Sequence, residues 1–312
     1  NRERLGMTKP GVILVNCARG GLVDEDALKD ALEAGHVRAA ALDVFAVEPA
    51  KEHNLFGTPG FVATPHLGAS TNEAQENVAI QVAEQMSDYL LTGAISNAIN
   101  TPSITAEEAP RLKPWVDLSD KLGTMMGQLL HDPAKEIEIT YKGAITELNT
   151  NPMSAAALAG LLKTSMPDVN MVSAPNLAKE RGIALKESYI DEAERAESLI
   201  RLTVTTAKRK FAIVGTIYRG EPRIVRLFGV PMDAAFDPSM IYVRNDDKPG
   251  FIGEVGRILG DAKVNIATFY LGRMAEGGEA VCLISVDGEV SDETAAAIKA
   301  IDQVKIVDRV RV

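Results

Sequence analysis

Apolar residues follow three different rhythms along this chain, and each predicts a different kind of domain. Near the start, Val12-Ile13-Leu14-Val15 and the segments 39–44 and 61–63 are short unbroken apolar runs bounded by turn residues. Such runs read as strands of a parallel sheet that is buried on both faces. Between the first two runs Asp24 caps a helix with Ala27, Leu28, Ala31 and Leu32 on one face, and Gly35 ends it. After the third, Ser70-Thr71-Asn72-Glu73 is a capping-box pattern. It opens a helix that carries Ala74, Val78, Val82 and Met86 four apart and runs to about Gly93. Strand, helix and strand at this spacing imply right-handed crossovers. The first strand needs parallel neighbours on both sides, and three strands with one helix between them are half of a doubly wound sheet. On the order of 200 residues are therefore expected ahead of Asn1, in a chain cut within a domain.

The rhythm then loosens. Residues 97–114 hold Pro102, Pro110 and Pro114 among polar positions and read as a linker. Over 115–237 the pattern is mixed, with a helix near 118–130, a strand over 136–141 and an alanine-rich helix over 154–162. Strand-like runs follow at 202–206, 211–218 and 223–228, which makes an α+β domain. The last stretch is regular again. A strand at 241–243, a helix over 250–260 and strands over 264–271 and 280–286, joined through Glu276-Gly277-Gly278-Glu279, come first. A helix near 292–300 and a strand over 304–312 complete βαββαβ, the ferredoxin-like order. The expected class is α/β, with domains over 1–100, 101–237 and 238–312: half of a Rossmann-like parallel sheet, an α+β intervening domain and a ferredoxin-like domain.

Composition narrows the partners. Hydrophobic residues make up 46% of the 312 residues and charged residues 24%, ordinary values for a globular chain. A net charge of −10 argues against nucleic acid and against an anionic membrane as a partner. No apolar run approaches the roughly 20 residues of a membrane helix, and no signal peptide precedes the first strand. Cys17 and Cys282 fall in different expected domains, and two lone thiols suit a reducing cytoplasm.

Candidate chemistry gathers at strand ends. Arg19 follows the first strand in Asn16-Cys17-Ala18-Arg19-Gly20-Gly21, and Asp43 closes the second in Ala41-Leu42-Asp43-Val44-Phe45. Glu48 precedes Pro49, and His66 lies in Thr64-Pro65-His66-Leu67-Gly68-Ala69 after the third. Singly each has a plain structural explanation: a packing histidine, a turn arginine, a capping aspartate, a glutamate held extended by the next proline. Together they are harder to explain that way, because ligands of open parallel sheets sit beyond the carboxyl ends of the strands. A histidine there can take the hydroxyl proton of a 2-hydroxy acid while hydride leaves the same carbon. A carboxylate beside it fixes the ring and makes it more basic. An arginine can grip the substrate carboxylate through two hydrogen bonds. The set needs no metal. No Gly-x-Gly-x-x-Gly occurs anywhere in the chain, so a phosphate cradle and tight NAD binding are not expected of this stretch by itself.

These four blocks, in order and spacing, resemble the D-2-hydroxyacid dehydrogenase family, and within it the long three-domain 3-phosphoglycerate dehydrogenases. By that resemblance Arg19 binds substrate, Glu48 is the partner carboxylate and His66 is the proton donor and acceptor. Asp43 would contact the nicotinamide carboxamide of NAD, with Cys17, Ala18, Arg19, His66, Leu67, Gly68 and Ala69 lining the same end of the cofactor. The segment from Asn245 to Gly256, followed by Val264-Asn265-Ile266-Ala267, resembles the ACT domain, an amino-acid-sensing module. The resemblance implies L-serine as effector, bound by Asn245, Asp247 and Asn265 where ACT domains pair. It further implies 3-phosphoglycerate as substrate and a homo-oligomer, expected to be a tetramer. Lys208, Arg209, Lys210, Arg219, Arg223 and Arg226 form a basic cluster in the intervening domain, with Arg223 the candidate for an anionic effector. Two other readings stay open: a regulatory module that only binds, and another 2-hydroxyacid dehydrogenase such as a glycerate or hydroxypyruvate reductase.

Overall fold

The computed structural model describes residues 1–68, 70–100, 103–105, 107–191 and 198–312. Contacts divide the chain into two compact units, Asn1–Ser87 and Asp88–Val312.

In the first unit the elements are α1 (Arg2–Gly6), β1 (Val12–Asn16), α2 (Glu25–Glu33), β2 (Val37–Leu42), β3 (Phe61–Ala63) and the greater part of α3 (Asn72–Thr92). The three strands lie in the order β1-β2-β3, all parallel. Asp24 caps α2 as expected, accepting a hydrogen bond from the Ala27 N–H at 3.0 Å. Leu5 of α1 and Ala27, Leu28 and Leu32 of α2 cluster with Val37, Ala40 and Leu42 of β2 and with Phe45 and Leu55. Each such large side chain, fully buried, stabilises the fold by roughly 1.5–3 kcal/mol. The expectation of burial on both faces fails here. Val12 and Leu14 pack against the cluster, while Ile13 and Val15 are 52% and 63% exposed. β1 has β2 as its one strand neighbour among the described residues, and no described residue of α3 is buried.

The second unit opens with α4 (Ala109–Leu129), β4 (Glu136–Lys142), a 3₁₀ turn (Ala144–Glu147), α5 (Asn151–Lys163) and α6 (Ala174–Glu180). Then come β5 (Ala184–Ile190), β6 (Leu199–Thr205), β7 (Lys210–Tyr218), β8 (Glu221–Leu227) and β9 (Val230–Ala235). The expected linker is shorter than its prolines suggested. Pro110 occupies the first turn of α4, where a missing N–H costs nothing, and Pro114 is accommodated inside the helix. Six strands form one sheet in the order β5-β4-β6-β7-β8-β9, antiparallel except for the β4–β5 pair. α4 and α5 lie against each other closely enough that a Cβ on Gly123 would sit 2.1 Å from the Ala157 carbonyl oxygen.

The remainder is β10 (Met240–Asp246), α7 (Phe251–Asp261), β11 (Ile266–Arg273), β12 (Glu279–Val286), α8 (Asp292–Lys299) and β13 (Val304–Val310). Its antiparallel order, β11-β12-β10-β13, is that of the expected ferredoxin-like domain. Ile241 and Val243 face α7 and α8, whereas Met240 and Tyr242 join Leu202, Ile213 and Leu227 of the larger sheet in a single core. β12 is therefore covered on both sides, which explains its unbroken apolar run Ala-Val-Cys-Leu-Ile-Ser-Val.

Candidate active site

The three loops that leave the carboxyl ends of β1, β2 and β3 build one site within the first unit. Asp43 follows β2 and is 6% exposed. One of its oxygens accepts the Thr64 hydroxyl at 2.5 Å and the Leu67 N–H at 2.7 Å, and the other accepts the Gly68 N–H at 3.1 Å. Those bonds, the Thr64 hydroxyl first and the Leu67 N–H next, hold the Asp43 carboxyl below the usual aspartate range. They also bind the β3 loop into a tight turn in which His66 adopts the left-handed conformation at φ 58°. A non-glycine residue there costs on the order of 1 kcal/mol, which the carboxylate's grip on the next two amides offsets.

The turn presents the His66 ring to Glu48. His66 Nδ1 lies 2.7 Å from Glu48 Oε2, and Glu48 Oε1 accepts the Phe45 N–H at 2.9 Å. The His66 bond first, and the Phe45 amide second, hold the Glu48 carboxyl below the usual glutamate range. With Glu48 ionised, the neutral imidazole carries its proton on Nδ1 and leaves the Nε2 lone pair free to accept a substrate proton. Glu48 precedes a cis peptide bond to Pro49.

Arg19 comes from the β1 loop. Asn16 braces that loop by accepting the Ala18 N–H at 3.1 Å and donating to the Arg19 carbonyl at 3.0 Å. The Arg19 guanidinium donates to the Ala18 carbonyl at 2.9 Å. Arg19, Glu48 and His66 line one depression with Phe45 and Gly20. Gly20 permits this closeness, since a Cβ there would fall 1.9 Å from the Phe45 carbonyl oxygen. Asp43, Glu48 and His66 also line an adjoining cavity walled by Phe45, Phe56 and Pro49.

All three residues expected to carry catalysis thus meet at one sheet edge. Cys17 is exposed near them, and Leu67 and Gly68 follow His66 in the turn that Asp43 holds; Ala69 lies outside the described residues. Asp43 proves to be a clamp on the turn as well as a wall of the cavity. Three further residues were not anticipated. Thr64 bonds Asp43, and Glu25 and His53 bond each other at 2.9 Å behind the 45–48 turn. Thr64 could have been suspected from its place directly after an apolar strand. Glu25 and His53 carry no local signal, because only the fold joins them.

The second unit separates residues that the sequence grouped. Asn245 is 1% exposed, donates to the Asp246 carbonyl at 2.8 Å and leaves its buried amide oxygen without a partner among the described residues. Asp247 accepts from Arg273 at 2.6 Å and from the Gly277 N–H at 3.1 Å, bonds that hold its carboxyl below the usual range. Asn245, Asp247 and Arg273 line a cavity at the start of α7. Asn265 is not in it. It donates to Asp287 at 2.7 Å just before β11, whereas Arg273 ends that strand, roughly 25 Å away at about 3.3 Å per residue. One chain therefore does not assemble the expected trio. Arg223 is likewise already engaged within the chain. Its Nε and Nη2 donate to one oxygen of Asp233, at 2.9 and 2.7 Å. The expected basic cluster is dispersed as well, with Lys208 paired to Asp132 and Arg209 stacked over Phe211. Neighbouring strands and loops bring acids and rings to cations that looked uncompensated in sequence.

A glutamate–histidine pair and an arginine at the carboxyl edge of a parallel sheet can hold a small acid and exchange a proton with it. Residues 1–68 match the NAD binding domain of D-isomer specific 2-hydroxyacid dehydrogenases. Residues 111–228 match the D-3-phosphoglycerate dehydrogenase intervening domain, and 239–303 the ACT domain. Three successive stretches of the chain are thus similar to domains found in D-isomer specific 2-hydroxyacid dehydrogenases and in D-3-phosphoglycerate dehydrogenase. The chain is 40% identical to D-3-phosphoglycerate dehydrogenase of Bacillus subtilis, over 99% of this chain and 60% of that protein. It is 39% identical to D-3-phosphoglycerate dehydrogenase of Methanocaldococcus jannaschii, over 98% of this chain and 58% of that protein. The chain thus spans about 60% of the length of these curated relatives. A glyoxylate reductase structure from Paecilomyes thermophila is 37% identical over 30% of this chain and 29% of its own, with a TM-score of 0.28 that bears no weight for the fold.

Proposed function

We propose that this chain is the catalytic-edge, intervening and regulatory portion of an NAD-dependent 3-phosphoglycerate dehydrogenase. The reaction is oxidation of 3-phospho-D-glycerate to 3-phosphohydroxypyruvate, the first step toward L-serine, carried out in the cytoplasm. The observation that carries this reading is the Glu48–His66 pair at 2.7 Å with Arg19 in the same depression. Arg19 grips the substrate carboxylate and orients C2. His66 Nε2 takes the C2 hydroxyl proton, and Glu48, bonded to Nδ1, stabilises the imidazolium that forms. In the reverse direction the same Nε2 returns the proton to the carbonyl oxygen.

NAD, when bound, supplies the hydride acceptor. The residues present suit its nicotinamide end. Asp43 lines the cavity, and its second oxygen, which accepts the Gly68 N–H, keeps capacity for a carboxamide donor. Cys17, Ala18, Leu67 and Gly68 flank the same edge.

L-Serine is the proposed effector of the ACT domain. Asn245 and Asp247 supply one half of its site and Asn265 of a second copy the other half, which accounts for an Asn245 oxygen that has no partner among the described residues and for the separation within one chain. A homotetramer supplies such pairs. The test is a panel of 2-hydroxy acids with NAD and the full-length protein, with and without serine. Turnover of 3-phosphoglycerate should exceed that of glycerate and D-lactate, and serine should lower it. Preference for glycerate would overturn the substrate; turnover unaffected by serine would overturn the regulation.

A further inference from the structure

We infer that Glu25 and His53 are positioning residues for proton transfer, a pair that sets where Glu48 stands between Arg19 and His66. The inference rests on the dehydrogenase reading of the site and goes beyond it, since neither side chain lines the Arg19–Glu48–His66 depression.

Glu25 is the first residue of α2, and its carboxylate serves two loops at once. Oε1 accepts the Ala46 N–H at 2.7 Å, and Oε2 lies 2.9 Å from His53 Nε2. The side chains of both partners are about 15% exposed, unlike an ordinary surface pair. His53 Nδ1 accepts the Leu55 N–H at 3.3 Å, so its ring proton resides on Nε2 and is donated to Glu25. The ring also packs against Phe45 and Phe56, with centroids 5.1 and 5.7 Å away. Ala46, which Glu25 holds, lies between Phe45, whose N–H holds Glu48, and Glu48 itself. Phe45 is also the residue whose carbonyl occupies the space a Gly20 side chain would need, beside Arg19. Glu25 and His53 therefore clamp from behind the one segment that touches the arginine turn on one side and the histidine's carboxylate on the other. Releasing that clamp frees Glu48 to drift from Nδ1, and proton transfer is sensitive to displacements of about 1 Å.

The experiment compares Glu25→Ala, Glu25→Gln and the unaltered full-length protein. Glu25→Ala should lower kcat for 3-phosphoglycerate about 10- to 100-fold with little change in KM for NAD. Glu25→Gln keeps an acceptor for the Ala46 N–H and should recover most of the rate. The solvent isotope effect on kcat gives a reading that mere loss of active protein would not move: with proton transfer impaired it should rise in Glu25→Ala and return toward the unaltered value in Glu25→Gln. An unchanged isotope effect in Glu25→Ala would overturn the positioning role, even if the rate fell through general loss of structure. A protein inactive on 3-phosphoglycerate that turns over another 2-hydroxy acid and shows the same change in isotope effect would overturn the substrate assignment and leave the positioning role standing.

Discussion

Asp43 and Asp247 are two carboxylates with the same local habit and opposite consequences. Each follows a strand, lines a cavity and accepts backbone N–H groups from a distant turn, Asp43 from Leu67 and Gly68 and Asp247 from Gly277. Around Asp43 the set closes within one compact unit, since Thr64, His66 and Glu48 are all there and each is bonded. Around Asp247 the set stays open. Asn245 retains a buried amide oxygen with no partner among the described residues, and Asn265 is engaged elsewhere, by Asp287. A catalytic site must be organised before substrate arrives, whereas a regulatory site can be left for assembly to complete. Under the proposed function, the contrast teaches that the proton-transfer geometry belongs to the chain and the effector geometry to a pairing of chains.

The largest test of the closed site is His66→Ala in the full-length protein. Removing the group placed to take the hydroxyl proton should depress kcat by about 10²–10⁴. Substrate affinity, which depends on Arg19, should change little. Steady-state kinetics decides it, and a variant that keeps its full rate would move the proton-transfer role away from this turn.

Much of the closed site was readable from sequence and little of the open one, for a physical reason. β1, β2 and β3 are apolar runs at parallel-sheet spacing, and the rule that ligands gather at strand carboxyl ends brings Arg19, Asp43 and His66 together without coordinates. Glu25 and His53 were hidden because 28 residues separate them and no periodicity joins them. β5 was hidden for another reason. It is an edge strand whose residues are almost all exposed, Tyr189 and Ile190 included, so it shows neither an apolar run nor alternation. Arg223 looked unpaired because a sequence cannot display Asp233 on the neighbouring strand. Asn265 belongs with Asn245 and Asp247 in the amino-acid-sensing pattern, and the resemblance already implied a site where two such domains pair, but the sequence could not display that Asn265 is held by Asp287 within its own chain.

The open site can be broken by a mixing experiment of intermediate effect. Asp247→Ala and Asn265→Ala should each abolish serine inhibition while sparing turnover. When the two variants are co-expressed and hybrids carrying both are isolated, a site shared between copies pairs one doubly altered site with one intact site. Serine inhibition should then return in part. If the hybrids stay as insensitive as either parent, each chain holds its own complete site and the contrast drawn here collapses.

The smallest effect separates the two carboxylates by what holds them. Both are kept below the ordinary aspartate range, so each contributes stability that is fully present above that range and lost as pH falls through the lowered value. Asp43 is held chiefly by a hydroxyl and backbone amides at a nearly buried position, whereas the first cause at Asp247 is Arg273, whose side chain is 53% exposed. Salt screens an exposed ion pair and leaves amide hydrogen bonds nearly untouched. Urea midpoints of Asp43→Asn, subtracted from those of the unaltered protein, should give a difference that shrinks on acidification and is the same in low and high salt. The corresponding difference for Asp247→Asn should shrink on acidification too, and in high salt it should already be reduced at neutral pH. Equal salt responses at the two positions would mean that the Arg273 pair contributes no more than the Gly277 amide. Asp247 would then be a clamp on its turn in the same sense as Asp43, and its carboxylate would be no freer to receive an effector's ammonium group.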